Sequence, residues 1–148
     1  MELRIEEAQP DMDAVDLYED LREEDMLEIL GLMNHPRDAV IMSYATSSKC
    51  YSVKDEYNNL YCSFGVAQIN GTNLGSAWLL GTRRLPSIKK FFLKHSRERM
   101  EGLLDGFDYL TNFVMKSNTL SYRWLKWLGA EFNDCHLDGY MSFILERK

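Results

Sequence analysis

The spacing of apolar residues changes along the chain, and each change marks an element. Leu3-Arg4-Ile5 alternates and predicts a short first strand. Pro10-Asp11 opens a helical region. Val15, Leu17, Leu21, Met26, Ile29 and Leu30 place two short helices there, ending near Gly31. Pro36 suits the first turn of a third helix carrying Val40, Ile41 and Tyr44. Strands follow: Lys49 to Val53, a turn over Asp55 to Asn59, then Leu60 to Ile69. Asn70-Gly71 marks another turn, and Gly75 to Leu80 reads as a buried strand. Pro86 starts the longest helix, running to about Leu104. At 100° per residue, Ile88, Phe91, Phe92, His95, Arg99 and Leu103 share its inner side, with Lys90, Lys94, Arg97 and Glu101 opposite. Tyr109 to Met115 is a strand. Ser117-Asn118 caps a helix from Thr119 to Leu128 that Gly129 closes. Glu131-Phe132 and Tyr140 to Leu145 complete the sheet.

The order is β-α-α-α-β-β-β-α-β-α-β-β. The strand–helix–strand passage over 75–115 implies one parallel pair with a crossover helix, and the consecutive strands before it imply antiparallel neighbours. The expected fold is α/β: a mixed, mostly antiparallel sheet flanked by helices on both faces. The 148 residues fit one domain, and 45% hydrophobic with 27% charged residues is a globular balance. No apolar run approaches the ~20 residues of a membrane span, and the opening MELRIEEAQ lacks the apolar core of a signal peptide.

The net charge of −6 is unevenly spread: residues 1–28 hold twelve acids and two bases. Seven bases fall between Arg83 and Arg99. The whole chain would be repelled by phosphate, so it is a poor generic nucleic-acid binder. The basic stretch is either a solvated helix face or a local anion site. Cys50, Cys62 and Cys135 are an odd number with no Cys-x-x-Cys pair. They supply no zinc site and fit a reducing compartment. Cys135-His136 is the one nucleophile–base pairing the spacing offers, and neighbours on a strand point apart.

Three segments carry a family resemblance. They are Trp78-Leu79-Leu80-Gly81-Thr82, then His95-Ser96-Arg97, then Asn118-Thr119-Leu120-Ser121-Tyr122-Arg123-Trp124-Leu125-Lys126-Trp127-Leu128-Gly129. With the element order, they resemble the acyl-CoA N-acyltransferase (GNAT) fold. More narrowly, they resemble the small GNAT-like protein of short-tailed phages, known as an internal virion or virion-assembly protein. The resemblance is firmest over residues 75–132. It implies a phage origin, with the host cytoplasm during infection and the virion as the compartments.

The resemblance also says what an active enzyme would need. The strand before the long helix would part from its neighbour and hold the pantetheine arm of CoA. The next loop would aim backbone N–H groups at the diphosphate. If acetyl-CoA binds, Leu79, Leu80, Gly81, Thr82, Arg83, Arg84, Ser87 and Asn118 are the expected contacts. The loop pattern Gln/Arg-x-x-Gly-x-Gly/Ala is missing, and Pro86 has no N–H to give. Arg83 and Arg84 either compensate or are ordinary exposed arginines. Active members carry a proton-donating tyrosine seven residues after the asparagine, and here that position is Leu125. Tyr122, one turn earlier, either substitutes or packs. Asn118 contacts the cofactor or caps its helix. His95 is a catalytic candidate or a hydrogen-bonded core residue. An inner-face Arg99 would need a carboxylate, with Asp108 or Glu131 available. Trp78, Trp124 and Trp127 read as core or interface aromatics.

Three functions follow. The first is a GNAT-fold phage protein that acts through contacts with phage virion or host proteins in particle assembly, with no cofactor, membrane or nucleic acid. The second is an acetyl-CoA-dependent N-acetyltransferase acting on a host or phage protein. The third, an inhibitor of a host enzyme or defence, rests on the acidic residues 11–28 alone.

Overall fold

The computed structural model describes residues 1–146. Their elements follow the predicted order: β1 (Leu3–Glu7), α1 (Pro10–Glu19), α2 (Glu23–Gly31), α3 (Pro36–Thr46), β2 (Ser47–Asp55), β3 (Leu60–Gln68), β4 (Leu74–Gly81), α4 (Lys89–Leu104), β5 (Tyr109–Met115), α5 (Thr119–Leu128), β6 (Glu131–Asp134) and β7 (Tyr140–Leu145). The strands form one sheet in the order β1-β2-β3-β4-β5-β7-β6. β4 and β5 are its parallel pair, and the other neighbours run antiparallel.

Alternation along the strands feeds two cores. Leu80 and Leu60 pack with Leu17, Leu21, Val40 and Tyr44 of α1–α3 and the segment joining α1 to α2. Leu79, Phe64 and Val66 pack with Phe92 and Met100 of α4 and Trp124 of α5. Leu79 and Leu80 are adjacent, so period two sends one to each face. The second core centres on three rings. Phe64 lies 5.6 Å from Phe92 and 6.0 Å from Trp124, and Phe92 lies 5.4 Å from Trp124. Such pairs add about 0.5–1.5 kcal/mol each beyond burial.

α5 stops as its sequence dictates. Gly129 takes φ 103°, the left-handed region that an L side chain resists. Its N–H donates to the Lys126 carbonyl and the Ala130 N–H to that of Leu125, a Schellman closure.

Two expectations about the long helix change. Its first turn, Leu85–Ile88, is a 3-10 turn, and the α-helix begins at Lys89. The buried face is Phe92, Ser96, Met100, Leu103 and Leu104, with His95 exposed. The reason is a polar contact: Ser96 Oγ accepts Trp124 Nε1–H at 2.9 Å, so a serine holds a core position. His95 lies outside against Phe91, ring centroids 4.4 Å apart. Arg99 is half-exposed and pairs with neither Asp108 nor Glu131. It lies 3.8 Å from Glu98 and over the Tyr51 ring.

Candidate functional site

β4 and β5 pair only over Leu74↔Tyr109, Gly75↔Leu110 and Ser76↔Thr111, then part. Asn112 Nδ2 bridges the start of the opening, donating to the Ala77 carbonyl at 2.9 Å. Beyond it lies a cleft of about 580 Å³, lined by Trp78 and Leu79 of β4, Asn112 of β5, Asp38 of α3 and Ser121 and Leu125 of α5. Gly81 turns its N–H and C=O away from β3 and into this opening. Two residues earlier on the strand, Leu79 presents its own pair in the same direction.

The far end of the opening is filled by the chain itself. Leu21 forms an antiparallel bridge to Thr82. Arg22 N–H donates to the Gly81 carbonyl at 2.9 Å, and Arg83 N–H to that of Asp20 at 3.1 Å. The Gly81 N–H donates to Asp25 Oδ2 at 2.8 Å. Arg22 holds the same carboxylate through Nε at 2.9 Å and Nη2 at 3.0 Å. Asn118 Nδ2 donates to Asp25 Oδ1 and to Glu28 Oε2, while its Oδ1 accepts from Arg22 Nη2. Glu28 Oε2 also accepts the free Met115 N–H of β5 at 2.9 Å. Arg22, Asp25 and Asn118 are buried. Gly81 permits the closure, because a Cβ there would sit 2.5 Å from Leu85 Cδ2 and 3.2 Å from Arg22 Nε.

The loop after β4 spends its amides internally as well. Thr82 N–H donates to the Tyr61 carbonyl, Leu85 N–H to that of Thr82 and Ser87 N–H to that of Arg84. Arg84 N–H donates to Thr82 Oγ1, and Thr82 Oγ1 donates to the Leu60 carbonyl. A diphosphate needs several such donors free and converging. This loop, with Pro86 in it, offers no such row.

The expected contacts therefore separate. Leu79 and Leu80 line the cleft. Gly81 and Thr82 are engaged as above. Arg83 and Arg84 are exposed beside Asp20, at 3.5 and 3.9 Å. Ser87 Oγ donates back to the Arg84 carbonyl. Asn118 stands at the N-cap position but makes no side-chain cap, because its amide serves Asp25 and Glu28. The capping expectation is corrected by that competition. Tyr122 turns to Phe132, ring centroids 4.6 Å apart, while Leu125 of the same helix faces the cleft. Ser121 Oγ is buried without a hydrogen-bond partner. His95 lies outside the cleft.

A family model described as "Bacteriophage T7, probable scaffold protein Gp13" matches residues 62–137, just over half of the sequence. The chain belongs to that family. The match runs from β3 to the segment after β6, so it spans β4, the loop and the whole of α5. No curated protein matches the chain closely enough to serve as a relative.

Solved structures extend the likeness to the whole fold. The GNAT domain of S. lividans PAT aligns with TM-score 0.70 at 13% identity, covering 98% of this chain and 90% of that one. Spermidine N-acetyltransferase from Vibrio cholerae, in complex with CoA and spermine, aligns with TM-score 0.64 at 10% identity, covering 97% and 95%. An IAA acetyltransferase from Bacillus cereus gives TM-score 0.63 at 11% identity, covering 99% and 100%. This Gp13-family member thus has the GNAT fold. At the end of β4 and in the loop after it, the N–H groups of Gly81, Thr82, Arg83, Arg84, Leu85 and Ser87 are taken up by protein acceptors.

Among the described residues, no group of His, Cys, Asp and Glu is placed to hold a metal, and no helix is long and apolar enough to cross a membrane. Burial pushes the Cys50 and Cys62 thiols up, away from the reactive thiolate.

Sequence reasoning missed Arg22 and Asp25, which lie in a run of charges, and Glu28, a lone acid between Leu27 and Ile29. One signal was present: Asp25 sits at helical spacing between Leu21 and Ile29, both buried. Glu28 has a measurable consequence. Burial is the largest influence on it and raises its pKa to about 7, with Asp25 adding to the rise and Met115 N–H, Asn118 and Arg22 opposing it. The folded protein therefore keeps this proton at pH values where the unfolded chain, near 4.5, has released it. Stability is expected to fall as pH rises between those values. Glu28→Gln keeps the acceptor oxygen and removes the titration. It should stabilise the protein at pH 8 by up to about 3 kcal/mol and change little near pH 4.5. Urea unfolding at the two pH values checks this.

Proposed function

We propose that this protein is a GNAT-fold component of phage particle assembly that acts through protein contacts rather than acyl transfer. One observation carries the reading: the buried Asp25 carboxylate occupies the Gly81 amide at the end of β4. That amide belongs to the strand that would hold the pantetheine arm, and the loop after it keeps its amides for itself. Leu125, where the fold's active members place a tyrosine, adds support, and so does membership of a family described as scaffold proteins. The site of action is then the host cytoplasm during infection, with phage proteins or host proteins as partners and neither membrane nor nucleic acid involved.

Acyl transfer is the second reading, favoured by the cleft itself and by the Leu79 backbone facing it. The Vibrio cholerae neighbour holds CoA and spermine, so a similar cleft here would take acetyl-CoA and an amine. Calorimetry separates the two. The expected result is no saturable heat with acetyl-CoA up to millimolar concentration. Micromolar binding that weakens at least tenfold in Arg83→Ala/Arg84→Ala would overturn the assembly reading. The assembly reading further expects the protein in purified particles or assembly intermediates, and its absence from both would remove it.

A further inference from the structure

On the α1–α2 side, Asp16, Glu19 and Glu23 are exposed and make no ion pair among the described residues. α2 also turns leucines outward: Leu27 and Leu30 are each 48% exposed, and Met33 follows at 93%. Glu23, Leu27 and Leu30 stand at i, i+4 and i+7, so one helical stripe carries a carboxylate at one end and apolar side chains along the rest. An outward apolar stripe on a short helix is what a groove-binding helix presents.

A groove of matching character lies between the starts of α4 and α5. Its volume is about 450 Å³. Phe92, Leu93 and Leu120 line it, and Lys89, Lys90 and Arg123 stand around it with Glu24 of α2, whose carboxylate lies 3.4 Å from Arg22 Nη1. These three bases are exposed and unpaired among the described residues. Three unpaired bases against one ion-paired acid leave the groove net positive where the stripe is negative, and both have apolar centres.

We infer that the occupant of this groove is α2 of a second copy of the chain. Leu27 and Leu30 enter between α4 and α5, while Glu19 and Glu23 face Lys89, Lys90 and Arg123. Complementary charge fixes the register and excludes the like-charged alternative. The inference rests on the protein-contact reading and deepens it by naming one partner.

Three exposed-site variants test it, and their melting curves should match the parent because surface changes rarely exceed about 0.5 kcal/mol. One is Lys89→Glu/Lys90→Glu/Arg123→Glu, which reverses the groove. The second is Glu19→Lys/Glu23→Lys, which reverses the helix. The third, Leu27→Ser/Leu30→Ser, removes the apolar stripe. Sedimentation velocity from micromolar to near-millimolar protein is expected to show self-association of the parent that weakens with salt. Each variant alone should associate roughly tenfold or more weakly. Mixing the two charge-reversed variants should restore association, because each then meets an opposite partner. A parent that stays monomeric throughout, an association indifferent to these substitutions, or a mixture that fails to associate would each overturn the inference. None of these results touches the particle-composition test, so failure here is distinguishable from failure of the assembly reading.

Discussion

Replacing Asp25 by alanine is expected to cost about 3–5 kcal/mol of stability, because it strands a buried guanidinium. Arg22 is 2% exposed and gives two of its donors to Asp25. Burial works against its charge, yet Asp25, with Glu24 and Glu28, more than offsets this and raises the Arg22 pKa. Asp25→Ala removes the main compensation and also leaves the Gly81 N–H without its acceptor. Total stabilities are commonly about 5–15 kcal/mol, so the variant should be visibly destabilised at 25 °C. Urea unfolding reads the loss as a lower midpoint at unchanged slope. The double variant Arg22→Met/Asp25→Leu should recover much of it, since apolar replacement of a whole buried pair is often neutral. A cost below about 1 kcal/mol for Asp25→Ala would mean that the pair behaves as a surface bridge. Asp25 would then not be what holds the end of the cleft closed.

The same residues explain what was legible beforehand. Element order was readable because period and punctuation agree: Asn118 and Gly129 bracket α5, and Asn70-Gly71 separates β3 from β4. The parallel β4–β5 pair followed from the intervening helix, and the family motifs lie on those same elements. The inner face of α4 was misjudged because Phe91, Phe92 and Leu93 are consecutive and fix no single side. The tie-breaker is the Ser96–Trp124 hydrogen bond, which joins residues 28 apart. The filled cleft was not legible for a related reason. A buried carboxylate and an exposed one look alike in a run of acids. Only the partners on β4, β5 and α5 distinguish them, and those partners are tertiary. The missing glycines of the loop were visible in the sequence. That the chain's own carboxylate takes the strand-end amide was not.

A second buried pair ties α1 to the sheet, and breaking it should cost as much. Asp13, fully buried, faces Lys54 Nζ at 2.8 Å, with Lys54 2% exposed. Its Oδ2 accepts the Gln9 N–H at 2.8 Å and the Ser52 hydroxyl at 2.7 Å. Because Ser52 gives its proton to Asp13, the 2.7 Å contact to Ser63 must have Ser63 as donor, and Ser63 in turn accepts from Tyr44 at 2.6 Å. Hydroxyl protons from α3, β3 and β2 therefore all point towards one carboxylate on α1. Lys54→Met leaves that carboxylate with neutral donors only and is expected to cost about 3–5 kcal/mol. Adding Asp13→Asn should cost little more, because an amide needs no counter-ion. The coupling energy from this double-mutant cycle should then lie at the upper end of the ~0.5–3 kcal/mol seen for residues in contact. Additive losses would instead mean that Asp13 is held by its hydroxyl chain and N–H donor alone. Lys54 would then be buried for its alkyl stem, and α1 would owe its place on the sheet to Leu17 and the packing around it.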